Sequence, residues 1–111
     1  MESIINSILI EFADDVKKII GPNLKRIILY GSYARGDNTL NSDIDVMILV
    51  SLNDDEIRKI RDDISDCAFE FLMQYGVDIS PAITSINHFE YWVDTLPFYR
   101  NVRDEGVVLS A

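Results

Sequence analysis

Two carboxylates spaced two apart, Asp43 and Asp45, follow a Gly31-Ser32 pair after ten intervening residues. In an extended segment, residues i and i+2 share one face about 6.5 Å apart, so the two acids can grip a divalent cation between them. Gly31 lets backbone approach a ligand closely, and Ser32 adds a hydroxyl and a helix-start N–H, the donors that phosphate oxygens require. A third acid, Asp78, stands between Val77 and Ile79, where a half-buried polar group needs a reason to be. If its segment lies beside residues 43–50, three carboxylates converge. At about 4 Å and an effective dielectric near 20 they repel by several kcal/mol per pair, a conflict that bound magnesium resolves. Two such ions, about 3.5–4 Å apart, can clamp the entering and departing oxygens of a displacement at phosphorus. The pattern suits a metal-bound triphosphate.

These residues must be placed by secondary structure. Residues 25–30 read as a strand, 31–37 as a turn with a half-helix, and 43–50 as a second strand, which sets the Gly-Ser turn and the acid pair at adjoining strand ends. Before them, Ile4, Ile5, Ile8, Leu9, Phe12, Val16, Ile19 and Ile20 repeat at helical spacing until Gly21-Pro22. After them, Asn53 offers an N-cap, and Ile57, Ile60, Ile64, Cys67, Ala68, Phe71 and Leu72 form one face of a long helix ending at Gly76. Residues 77–83 return as a short strand in which Pro81 predicts an edge position or an early end to pairing. A third helix is expected over 87–96, with Asn87 as cap, then a turn or two of helix over 98–103 and a short strand at 107–109. The order predicts an α+β fold, one domain over residues 1–111 with a mixed sheet flanked by helices.

Composition excludes several classes. With 48% hydrophobic and 26% charged residues in 111, an ordinary core is expected and a separate substrate domain is not. The apolar run at 46–50 is far short of the roughly 20 residues of a membrane span, and the N-terminus has no basic start or cleavage site, so a cytoplasmic protein is expected. A net charge of −9 makes nucleic acid an unfavourable partner, since phosphate backbones are captured by clustered Lys and Arg. It does not oppose ATP, whose charge arrives largely neutralised by magnesium, and it favours a basic protein partner. Cys67 has no disulfide partner and lies on an apolar helical face, which predicts inert packing.

Across residues 25–79 the chain resembles the DNA polymerase beta-like nucleotidyltransferase superfamily, and within it the minimal nucleotidyltransferases of prokaryotic toxin–antitoxin pairs. The resemblance implies ATP as donor, Gly31 and Ser32 on the β- and γ-phosphates, and Asp43, Asp45 and Asp78 on two magnesium ions. It also implies a protein acceptor: a cognate HEPN-type ribonuclease toxin silenced by AMP on a tyrosine. Asp43 and Asp45 are expected to bridge both ions, and Asp78 to hold the ion nearest the acceptor and take the proton of the attacking hydroxyl. Arg35 is expected as a supporting triphosphate contact, or else as a surface arginine closing onto Asp37.

Other readings stay open beside these. Asp43 and Asp45 also suit a capped turn feeding a strand, and Asp78 an edge-strand carboxylate facing water. His88 fits a surface or capping role at a helix start, and the aromatics between residues 89 and 99 fit core packing or a partner surface. An EF-hand fails because no Gly follows at the sixth position and no Glu at the twelfth, and no Cys/His cluster suggests zinc. The acceptor could instead be a small hydroxylated molecule such as an aminoglycoside, held at a homo-oligomer interface. The chain could also be a non-catalytic module that masks a toxin in a hetero-complex.

Overall fold

A computed structural model describes residues 3–39 and 42–110. Helix α1, Ser3–Ile20, carries Leu9, Phe12 and Val16 fully buried on one side, and Gly21 ends it at φ 74°, a left-handed conformation natural to glycine. A short 3-10 turn leads into β1, Leu24–Tyr30. A four-residue helix α2, Ser32–Arg35, precedes β2, Ile44–Val50. The long α3, Asp54–Tyr75, opens on a complete capping box in which Asn53 Oδ1 accepts from the Glu56 N–H at 2.9 Å and Glu56 Oε1 accepts from the Asn53 N–H at 3.1 Å. Then come β3, Ile79–Ser85, helices α4, Ile86–Trp92, and α5, Pro97–Glu105, and β4, Val107–Ser110.

The four strands order as β3-β2-β1-β4. β1 runs antiparallel to both β2 and β4, while β2 and β3 are parallel, joined by α3 as the crossover. This is the mixed sheet of an α+β fold. One face carries Ile27, Leu29, Ile44, Val46, Ile48 and Val50 against α1 and α3; Phe12 meets Phe71 there edge to face at 5.4 Å. The other face sets Ile28, Met47 and Leu49 against Phe89 of α4 and Val102 of α5. With both faces covered, β2 is apolar almost without interruption, which is why its sequence does not alternate.

Several boundaries differ from the sequence expectation: β2 starts at Ile44 instead of residue 43, α4 ends at Trp92 instead of residue 96, and α5 spans Pro97–Glu105 instead of 98–103. β3 starts at Ile79 instead of residue 77, so Asp78 precedes the strand and is exposed, not half-buried within it. Pairing also continues past Pro81 to Ser85, because β3 is the edge strand and Pro81 directs its missing donor away from β2. The cap of α4 is Ser85, whose Oγ accepts from the His88 N–H at 3.5 Å, not Asn87; the strand passes into the helix with no loop between.

Candidate functional site

The antiparallel pairing of β1 with β2 places Tyr30 opposite Asp45, so the chain leaves β1 for the Gly31 turn beside the start of β2. Gly31 has φ 76° and ψ −155°, a region open essentially to glycine alone. A Cβ there would stand 2.5 Å from Asp45 Oδ2, so the turn backbone lies directly against that carboxylate. The turn is closed by its own amides: Arg35 N–H donates to Gly31 O at 3.1 Å, and the N–H groups of Gly36 and Asp37 donate to Ser32 O at 2.9 and 3.0 Å. Ser32 thus opens α2 next to Asp45.

The parallel pairing supplies the other half. Ile44 is level with Ile79, and the Ile44 N–H donates to Asp78 O at 2.8 Å, which brings the residues preceding the two strands side by side. The Asp43 and Asp78 carboxyls come within hydrogen-bonding reach of each other. Loss of water, then the Asp43 charge and this hydrogen bond, raise the Asp78 pKa above the usual carboxylate value. Asp45, half-buried, is raised by burial and then by Asp43, while the Arg35 guanidinium draws it back. Asp43 is therefore the acid that acts on both others. Among the described residues, no three His, Cys, Asp or Glu side chains already stand at metal-ligand spacing.

The donor chemistry nevertheless fits a hard cation. Every oxygen offered is carboxylate, the set that magnesium prefers, and the side-chain-free Gly31 leaves Asp45 open to a ligand held by the turn. Arg35 does two things: its Nε pairs with Asp37 Oδ2 at 3.2 Å, and its charge reaches Asp45.

Two further features were not singled out from sequence. Tyr30 lies beside Asp45; burial and then the Asp45 charge raise its phenol pKa, and the Phe98 ring meets it edge to face at 5.5 Å. On the other flank a groove of about 300 Å³ runs from Asp43 and Asp78 to Phe69, Leu72 and Pro81. Phe69 is 58% exposed. The available signal was its position off the buried stripe of α3, a large apolar residue with no core to enter. His88 stays at the cap of α4, its ring edge on Tyr99 at 5.7 Å, and Cys67 is buried between α3 and α1. Among the described residues no helix is long and apolar enough to cross a membrane.

The chain matches the nucleotidyltransferase domain family over residues 9–106. It is 37% identical over 99 residues to a Methanocaldococcus jannaschii protein named "Putative protein adenylyltransferase", an alignment that takes in 89% of this chain and 91% of that protein. The fold is similar to that of a crystallised toxin–antitoxin with AMP-PNP, with a TM-score of 0.55 at 19% identity over 92% of this chain and 73% of the other. It is also similar to that of a mutant MntA-HpeT toxin–antitoxin structure, with a TM-score of 0.53 at 17% identity over the same shares.

Proposed function

Since this chain belongs to the nucleotidyltransferase domain family and is a nucleotidyltransferase, we propose that it transfers AMP from magnesium-bound ATP to a tyrosine hydroxyl of a cognate HEPN-type ribonuclease toxin, and so acts as its antitoxin. The observation that carries the reading is the junction of three strand ends. Gly31 lies against Asp45, and Asp43 reaches Asp78. The name of the Methanocaldococcus jannaschii relative supports a protein acceptor, and the toxin–antitoxin structures of similar fold support the kind of partner.

In this reading the Gly31 backbone and the Ser32 hydroxyl hold the β- and γ-phosphates, with Arg35 adding positive charge beside them. Asp43, Asp45 and Asp78 are the residues that would hold magnesium, and the ion would supply positive charge against the triphosphate and the departing pyrophosphate. Asp78, at the outer lip, takes the proton of the acceptor hydroxyl as its oxygen attacks the α-phosphorus. The test is to incubate the protein with ATP, magnesium and the HEPN-type protein encoded beside it, and to weigh the intact partner. A gain of one or more AMP units is expected. It should be lost in Asp43→Asn and Asp45→Asn variants that remain folded. If those variants still neutralise the partner as well as wild type, the protein works by masking and not by transfer.

A further inference from the structure

The sheet has two edges, and β4 forms the one next to β1. Its sequence, Val107-Val108-Leu109-Ser110, holds neither proline nor charge, the residues that natural edge strands use against pairing. Among the described residues only β1 hydrogen-bonds to it, so its outward amides and carbonyls face solvent. Val107, opposite Leu29, lies on the α1 side of the sheet, and Val108, opposite Ile28, on the side of α4 and α5; they are 43% and 53% exposed. The two ends of this edge differ in charge. Exposed Glu105 precedes β4, while exposed Lys25 and Arg26 stand at the far end, next to Ile27, which pairs with Ser110. Among the described residues none of these three has an ion-pair partner, whereas Arg103 is held by Asp94 and Asp104.

We propose that β4 is a self-association edge: two copies of this chain pair β4 with β4 antiparallel about a two-fold axis, giving a reversible dimer with one continuous eight-stranded sheet. A two-fold contact must be self-complementary, and this one is. Antiparallel pairing sets the start of one β4 beside the end of the other. Glu105 of each copy then faces Lys25 and Arg26 of the other across two strand spacings, about 9.5 Å, a gap that extended side chains close. The same rotation brings the valine rims together and takes apolar surface out of water. A net charge of −9 repels a second copy over most of the surface, so contact is favoured where acid meets base. The strand is only four residues long, and Leu109 is an extra residue between the partners of Ile28 and Ile27 that bends it. Few backbone bonds can form, which places the dimer in the weak class, with dissociation in the micromolar range. Because the Gly31 turn follows the end of β1 that is level with Val107, the two sites fall at opposite ends of the joined sheet.

Sedimentation equilibrium of the wild type from about 1 μM to about 1 mM should show the mean mass rising from 12.7 kDa toward twice that value. Hydrogen exchange at residues 107–110 should slow over the same range. Val108→Lys puts a charge on the rim and should hold the protein at the mass of one chain. Glu105→Lys should raise the dissociation constant about tenfold, and adding Lys25→Glu and Arg26→Glu to it should restore the wild-type value within about threefold. Circular dichroism checks that each variant is folded; should Val108→Lys fail to fold, the charge series, all at exposed positions, decides alone. A mass that stays at one chain up to about 1 mM overturns the assignment. So does a dimer indifferent to both Val108→Lys and Glu105→Lys, or no recovery in the charge swap. Protection of residues 107–110 that appears only with a different protein, and not with concentration, also overturns it and gives the edge to a foreign strand.

Discussion

Replacing Gly31 with alanine isolates the close approach on which the site depends. The residue sits at φ 76°, ψ −155°, where any other residue pays about 1–3 kcal/mol in backbone strain. The new Cβ would also lie 2.5 Å from Asp45 Oδ2 and must open to at least 3.4 Å for ordinary contact, so turn and carboxylate must part by about 1 Å. At about 4 °C per kcal/mol for a domain of this size, the strain predicts a melting midpoint lowered by about 4–12 °C. A displacement of about 1 Å between reacting groups can cost on the order of 100-fold in rate. Gly36 provides the control. It too has positive φ, at 81°, but a Cβ there would meet nothing within 4 Å, so Gly36→Ala should cost about 1–2 kcal/mol without moving an acid. Pyrophosphate release and adduct mass are to be compared at a temperature where both variants are folded. Gly31→Ala should be about 100-fold slower than Gly36→Ala. Rates within threefold of each other would refute the argument that this turn positions Asp45.

Phe12→Ala removes a fully buried ring that packs on Phe71 and should cost about 3–5 kcal/mol, read as a fall in the urea midpoint at unchanged slope. Asn53→Ala removes the side-chain oxygen that accepts from the Glu56 N–H, one of the two hydrogen bonds of the α3 capping box, and should cost about 1 kcal/mol, with transfer rate measured at saturating ATP unaltered. Burial, with Asp15 and Glu70 nearby, pushes the Cys67 thiol up to about 11. Iodoacetamide at pH 8.5 should therefore label native protein at least about 100-fold more slowly than urea-unfolded protein. Because the folded value is the higher one, the stabilising contribution of this thiol is complete below the unfolded value near 8.5 and is lost as pH rises through about 11. ATP alone should raise the melting midpoint little, and ATP with magnesium clearly more, about 2.7 kcal/mol of stabilisation at a hundredfold excess over Kd.

Local patterns were enough for much of this architecture. Helices α1 and α3 announce themselves through long apolar stripes, and Asn53 with Glu56 marks where α3 begins. Gly31-Ser32 and the Asp43–Asp45 pair identify a turn and a strand start from a few adjacent residues. What the sequence could not display depends on register between distant segments. The contact of Asp43 with Asp78 requires a parallel pairing carried across the whole of α3, and a slip of one residue would turn Asp78 to the opposite face. The cap of α4 was misplaced because Ser85 and Asn87 are both good cap residues two apart, and a strand running straight into a helix leaves no Gly or Pro to separate them. Leu72, expected on the buried face of α3, is 37% exposed, because an apolar residue at the margin of a helical stripe reads as core until the packing of its neighbours shows which side is covered; Phe69, off that stripe, was legible as an exposed ring.

Pro81, at the middle of the edge strand, has an implication for assembly. An outermost strand with a full set of free amides can recruit another extended chain and grow into larger sheets. A residue with no amide hydrogen breaks that row, so backbone-to-backbone extension along β3 is obstructed at its midpoint. Whatever meets the molecule on this flank must be recognised through the shape of its side groups, and self-propagating sheet growth from the same side is discouraged.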